Sequence, residues 1–230
     1  MISHSALRSV AHFFAVMLFV VGCGKNDAPG PVASSDLKTG EAVSSTSTGG
    51  LTAKDILGNP EYPAFCYGGY RQKTRDEVPT VEQLKDDMRI LSAMGVKLLR
   101  TYNTQQYDQA SRLLQAIEQL RQEDAAFEMY VMLGAWIDCE GAWTESVNHS
   151  GEDVENNTAE IDAAVELANR YPETVKIIAV GNEAMVHWAA SYFVSPGVIL
   201  KWVNHLQTLK SSGELPADIW ITSSDNFADG

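Results

Sequence analysis

Five short apolar runs with four amphipathic stretches between them predict an α/β fold with a parallel sheet, because strands separated by whole helices run in one direction. Three observations narrow the class to a (β/α)8 barrel of which about five βα units are present. The first is the run from Val175 to Val180, nearly all apolar and rich in β-branched residues, as in a strand covered on both faces. The second is the terminus of that run: Gly181, Asn182 and Glu183 set an amide and a carboxylate side by side where a βα loop begins, and the carboxyl ends of parallel strands are where such folds bind ligands. The third is that Gly68-Gly69 leads into an aromatic and basic stretch and Pro79, not into the glycine-rich phosphate loop of a nucleotide-binding open sheet.

The folded part begins near Leu51, and Ala64 to Tyr70 reads as the first strand and its loop. Thr80 and Gln83 form a capping box, after which Leu84, Met88 and Leu91 recur at helical spacing until Gly95. Val96 to Tyr102 is the second strand. A helix over about 105–123 then puts Ala110, Leu113, Leu114, Ile117 and Leu120 on one face. Glu128 to Ile137 is the third strand, Asp138 to about Asn157 a polar loop, and a helix runs from near Thr158 through Ile161, Val165 and Ala168 to Tyr171. After the central strand, Ser195-Pro196 opens a helix with N-cap and first-turn chemistry. Trp202, Leu206 and Leu209 line it, Gly213 ends it, and Asp218 to Asp225 is the fifth strand. A complete barrel takes about 200 to 250 residues at minimum. Leu51 to Gly230 supplies five strands and stops just past the fifth, so the sequence predicts a fragment of a longer protein.

The first fifty residues are of another kind. Arg8 precedes an apolar run from Phe13 to Val21, too short to span a bilayer and followed by Gly22-Cys23, which describes an export signal over residues 1–22. Val20-Val21-Gly22-Cys23 resembles a bacterial lipobox, implying cleavage before Cys23 and lipidation of its thiol, with the protein exported and anchored to the cell envelope. Residues 23–50 are rich in Ser, Thr, Gly, Ala and Pro without apolar periodicity, and read as a flexible tether to a domain over 51–230. The chain of 230 residues carries a formal net charge of -13 and has no basic face, which makes nucleic acid and anionic membrane surfaces poor partners for the folded part. Membrane contact is expected through the anchor alone. Cys66 and Cys139 are read either as small buried hydrophobes or as a disulfide, and His149, His187 and His205 make no metal-ligand spacing, so neither metal nor cofactor is expected.

The strand ends carry Tyr67 and Tyr70, Arg100 and Tyr102, Trp136 and Asp138, Asn182 and Glu183, then Asp225 and Phe227. Aromatic faces, a fixed cation, an amide and carboxylates around one mouth suit a sugar-binding cleft, where rings stack and hydroxyls need polar partners. Four of these segments, Phe65-Cys66-Tyr67-Gly68, Val96 to Tyr102, Leu133-Gly134-Ala135-Trp136 and Val180-Gly181-Asn182-Glu183, resemble glycoside hydrolase family 17, the β-1,3-glucanases and glucan transglycosylases of clan A. The resemblance covers roughly residues 62 to 227, the N-terminal portion of the catalytic barrel.

It implies that Glu183 is the general acid/base of a retaining glycosidase acting on β-1,3-glucan, and that Asn182 contacts the sugar at the reacting subsite. Arg100 would orient carboxylates at the base of the cleft, with Tyr67, Tyr102, Trp136 and Asp225 as substrate-binding residues. The family places its nucleophile at a seventh strand, in a Glu-x-Gly-aromatic-Pro setting that this sequence does not contain. Asp138, Glu140 and Asp225 are the carboxylates that stand as substitutes. Without the nucleophile segment the chain itself is expected to be inactive. Two further readings are a glucan-binding lipoprotein without catalysis and another clan A β-glycanase, since Asn-Glu at the fourth strand is shared across that clan.

Overall fold

The computed structural model describes residues 50–75, 77–105 and 108–226. The export signal, Cys23, all but the last residue of the tether and Phe227 lie outside the described residues. The elements run α1 (Ala53–Ile56), β1 (Ala64–Cys66), α2 (Val81–Ala93), β2 (Leu98–Arg100), α3 (Gln109–Glu123), β3 (Tyr130–Ala135), α4 (Val154–Arg170), β4 (Val175–Asn182), α5 (Pro196–Ser212) and β5 (Trp220–Ser224). All five strands lie in one sheet in sequence order, each parallel to the next. This is the winding of an α/β barrel, unclosed among the described residues, since β1 and β5 do not pair with each other.

The period of two along each strand separates two cores. Leu99, Val131, Leu133, Val175, Ile178 and Val180 face the helices, in one cluster with Leu113 and Ile117 of α3, Ile161 and Ala164 of α4, and Val198 and Trp202 of α5. Residues of the opposite parity, Leu98, Tyr130 and Met132, face the inside of the curve. There Leu98 and Tyr130 meet Ile56 of α1, which plugs the amino-terminal end of the strands. That short helix has no counterpart among the sequence expectations. Seven of the eight residues of β4 are buried, as its apolar run requires.

The helix signals hold where local chemistry sets them. Thr80 and Gln83 close a reciprocal capping box on α2, and Gly95 follows at φ 84°. Helix α5 starts after Ser195 with Pro196 in its first turn and ends on Gly213 at φ 81°. Helix α4 begins earlier than its apolar pattern indicates, at Val154 and not near Thr158, because the Asp153 carboxylate accepts the Asn156 N–H at 3.1 Å and caps it. Among the described residues no disulfide forms: Cys139 is buried and free, whereas Cys66 is exposed and free, so neither reading of the pair applies to Cys66.

Strands β1 and β5 are the edges of the sheet. On them Phe65 is 48% and Trp220 42% exposed, large apolar side chains on strands that lack an outer neighbour. The 51–230 segment alone is therefore expected to bind a hydrophobic dye and to melt without cooperativity in calorimetry. A sharp, reversible melt of a monomer that binds no dye would contradict this account of the edges.

Candidate active site

At the carboxyl end of β4 the register against β5 shifts between Val180 and Asn182. Gly181, at φ 79°, absorbs the irregularity, and a Cβ there would stand 2.9 Å from the Ala184 Cβ and 3.0 Å from Ile199 Cδ1. Glu183 follows at φ 49°, a left-handed conformation that costs a non-glycine residue about 1 kcal/mol or more. Its N–H donates to the Ser224 carbonyl at 2.8 Å, which ties the turn to β5. The bulge thus leaves Asn182 paired with Ser224 as the last residue of β4 and turns the chain at Glu183.

Arg100 arrives from β2. Its Nη2 donates to Asn182 Oδ1 at 2.6 Å, its Nη1 stands 3.7 Å from Cys66 Sγ, and its guanidinium lies 5.3 Å from the centre of the Tyr102 ring. The bond to Arg100 occupies the amide oxygen and leaves the Asn182 NH2 group as the donor end. Arg100, expected to orient carboxylates at the base of the cleft, holds the Asn182 amide among the described residues. The Arg100 Nε is buried without an acceptor among the described residues. Burial, and then the neighbouring Cys66 thiol, push the Tyr102 hydroxyl above its usual range.

Tyr67 departs from expectation. It packs with the helix-side core, and its hydroxyl donates to Asp87 of α2 at 2.7 Å, so it leans away from the inside of the strand curve. Alternation explains this: Cys66, in register with Arg100, faces inward, and the next residue faces the helices.

Trp136 and Asp138 form the densest part of the mouth. The Trp136 indole N–H donates to Asp138 Oδ1 at 2.7 Å, and that of Trp143 donates to Oδ2 at 3.3 Å. Tyr192, from the loop after β4, sits 5.0 Å from both indole rings and is stacked on Trp143 at 23°. Burial, and then the charges of Glu183, Asp138 and Asp225, push the Tyr192 hydroxyl up to about 12. One phenol therefore stands in the field of three carboxylates from three strand ends. Asp225 accepts the Met185 N–H on Oδ2 at 3.0 Å and the Asn226 N–H on Oδ1 at 3.0 Å, so it braces the loop after β4. Glu140 accepts from Asn148 Nδ2 at 2.6 Å and is tied within its own loop.

The residues that hold this mouth together were not foreseen. Glu160 of α4 is buried and accepts the N–H groups of Thr104 at 2.5 Å, Gln105 at 3.0 Å and Trp136 at 2.9 Å. Asn157, one turn earlier, accepts the Asp138 N–H and donates to the Asp138 carbonyl, both at 2.9 Å. The signal was present: positions 157, 160, 161, 164 and 168 form one helical stripe, and two of them are polar. Tyr192 and Trp143, on loops, carried no periodic signal.

Among solved structures, an endo-laminarinase from Formosa Hel1_33_131 is similar to the chain at 62% identity and a TM-score of 0.75, covering 77% of the chain and 45% of the laminarinase. The resemblance to glycoside hydrolase family 17 is borne out. An active-site mutant of the Rhizomucor miehei β-1,3-glucanosyltransferase in complex with laminaritriose matches at 20% identity and a TM-score of 0.50, over 72% of the chain and 50% of that structure, which is a likeness of fold. No family model and no curated protein matches the chain. The chain spans less than half the length of the laminarinase.

Burial raises the Asp138 carboxyl above its ordinary 3.8 despite the two indole donors, and burial raises Glu160 despite its three backbone donors. Each keeps its proton in the folded chain at a pH where the unfolded chain has released it, so these two groups make stability fall as pH rises above about 3.8. Asp138→Asn removes one of the two contributions. The decline of Tm with rising pH should become shallower in that variant, measured by calorimetry across the acidic range. A slope identical to the parent's would show that Asp138 does not titrate with folding.

Proposed function

We propose that this chain is the acid/base-bearing part of a glycoside hydrolase acting on β-1,3-glucan. The observation that carries the reading is the β4 terminus, where the bulge at Gly181 presents Asn182 and Glu183 together and Arg100 fixes the Asn182 amide. The likeness to an endo-laminarinase supports the choice of substrate. Glu183 protonates the glycosidic oxygen as the bond breaks, then takes a proton from the water that resolves the intermediate. The Asn182 NH2 group, freed by the grip of Arg100 on its oxygen, donates to a hydroxyl of the sugar at the cleaved bond. Tyr102, Trp136 and the Asp225-braced loop line the cleft.

Retaining hydrolysis needs a second carboxylate about 5 to 5.5 Å from the first. Asp138, Glu140 and Asp225 each hold other partners, so the nucleophile in this reading comes from a strand beyond β5. In the whole enzyme, Glu183→Gln keeps the shape and removes the transferable proton. Turnover on β-1,3-glucan should drop by at least about a hundredfold, with binding largely retained. Activity within a few-fold of the parent would remove Glu183 from the mechanism, and product analysis on β-1,4-linked glucan and mannan separates this specificity from that of other clan A enzymes.

The export signal over 1–22, the tether over 23–50 and the anchor at Cys23 belong to the same proposal. They put the catalytic domain over 51–230 on a lipid-held leash at the cell envelope, within reach of polymeric substrate. Replacing Cys23 with Ser should release the protein from the membrane fraction in detergent partitioning. Retention equal to the parent's would sink the anchor.

A further inference from the structure

We propose that Trp143 is a sugar-stacking platform on the loop between β3 and α4, a subsite formed together with Asp138 and Tyr192. Trp143 is 43% exposed, and its ring is nevertheless held on several sides. Its backbone N–H donates to the Ser191 carbonyl at 2.8 Å, its indole N–H to Asp138, and its ring lies 28° from the plane of Trp136 at 6.5 Å and 23° from that of Tyr192 at 5.0 Å. An exposed indole with no role would be free to turn. This one is clamped in a single orientation by two loops and a carboxylate.

The loop is strained in the same service. Trp143 adopts φ 64°, unusual for a bulky residue, and Gly141 two positions earlier adopts φ 67°, where a Cβ would fall 2.3 Å from the Ser146 carbonyl oxygen. Asp138 is itself fixed, because Asn157 holds both its N–H and its carbonyl and the two indole N–H groups hold its carboxyl. A rigid aromatic ring beside buried hydrogen-bonding groups is the arrangement that takes the apolar face of a pyranose while polar neighbours meet its hydroxyls. The Tyr192 ring that stacks on Trp143 stands on the loop after β4, and the Val194 N–H ties that loop to the carbonyl of Ala184, the residue after Glu183, at 2.7 Å, so the platform and the proposed acid/base share one loop. The ligand is therefore an oligosaccharide long enough to reach past the reacting sugar. The choice of β-1,3-linked glucose rests on the function proposed above, whereas the platform rests on the geometry of the loop.

The test is titration of the whole enzyme, carrying Glu183→Gln as the parent so that the sugar is not cleaved, with laminari-oligosaccharides of two to six units, read by calorimetry and by tryptophan fluorescence. Trp143→Ala should weaken binding of the longer oligosaccharides about tenfold, the loss of one aromatic stacking contact. Trp143→Phe should recover most of it. Trp188→Ala, which removes an indole that is 57% exposed elsewhere on the loop after β4, should leave affinity unchanged. Parallel titrations with cello-, xylo- and manno-oligosaccharides separate the two ideas: a Trp143-dependent affinity for one of these keeps the platform and overturns the β-1,3 specificity. The platform is overturned if Trp143→Ala binds as tightly as the parent while retaining the parent's circular dichroism, or if the parent binds none of these sugars.

Discussion

The carboxylate of Glu160 is the interaction on which the rest of the mouth depends. It sits on the buried stripe of α4 and accepts three backbone N–H groups, two from the segment after β2 and one from the end of β3. Those groups lie just beyond the last ladder bonds, and the buried one, on Thr104, would otherwise lack a partner at a cost of about 1 to 3 kcal/mol. An apolar residue at this position would pack against the same core and leave all three unsatisfied. The carboxyl is pushed upward by burial, the electrostatic cost of keeping it there. That cost is offset by fixing two strand ends with one side chain, and the aromatic cluster is built on the second of them.

From that anchor the site propagates by short covalent steps. Trp136, held through its N–H by Glu160, directs its indole to Asp138 two residues on, and Asp138 is held by Asn157 from the same stripe of α4. Asp138 in turn receives the indole of Trp143, and both rings meet Tyr192 from the loop after β4. The Tyr192 N–H and the Cys139 N–H are spent on loop carbonyls, Ala189 and Tyr192 respectively, so the two loops are also joined through their backbones. The β4 side meets this chain of contacts through the loop that carries Tyr192. It relies on the bulge at Gly181 and on Arg100, which reaches across β3 to Asn182.

How much could be read beforehand depends on where the information resides. The parallel winding, the buried β4, the capped start of α2 and the proline start of α5 are written in local periodicity and short-range chemistry, and the structure has them, although the Ser195 side chain caps nothing. The start of α4 was missed because its first turn holds Glu155, Asn156 and Asn157, which conceal the apolar period until Ile161. Tyr67 was placed in the cleft from its position at a strand end, but one step of the period of two decides between inside and outside. Only the register of Cys66 against Arg100 fixes that step. Glu160 and Asn157 were visible as polar residues on an apolar stripe, yet what they bind lies 56 and 19 residues away in the chain, and no local pattern reports such a distance.

The three carboxylates that stood as substitutes for a nucleophile show why composition at a strand end is weaker than its hydrogen bonding. Asp138 has an indole N–H on each oxygen, Asp225 a backbone N–H on each, and Glu140 is tied to Asn148. A nucleophile must present an oxygen to the sugar, and freeing one here would release an indole or a loop from the contact that positions it. Asp138 carries the further handicap that burial favours its protonated form, which is the wrong state for attack. Glu183 differs in kind. The strained turn that carries it is held by its own N–H on Ser224 and by the Arg100 grip on the side chain of the neighbouring Asn182, so the carboxyl group is not what keeps the turn in place. A side chain whose position is fixed by other groups can gain and lose a proton through a reaction cycle without dismantling its own support. That separation of holding from reacting is what distinguishes Glu183 from the other carboxylates of this mouth.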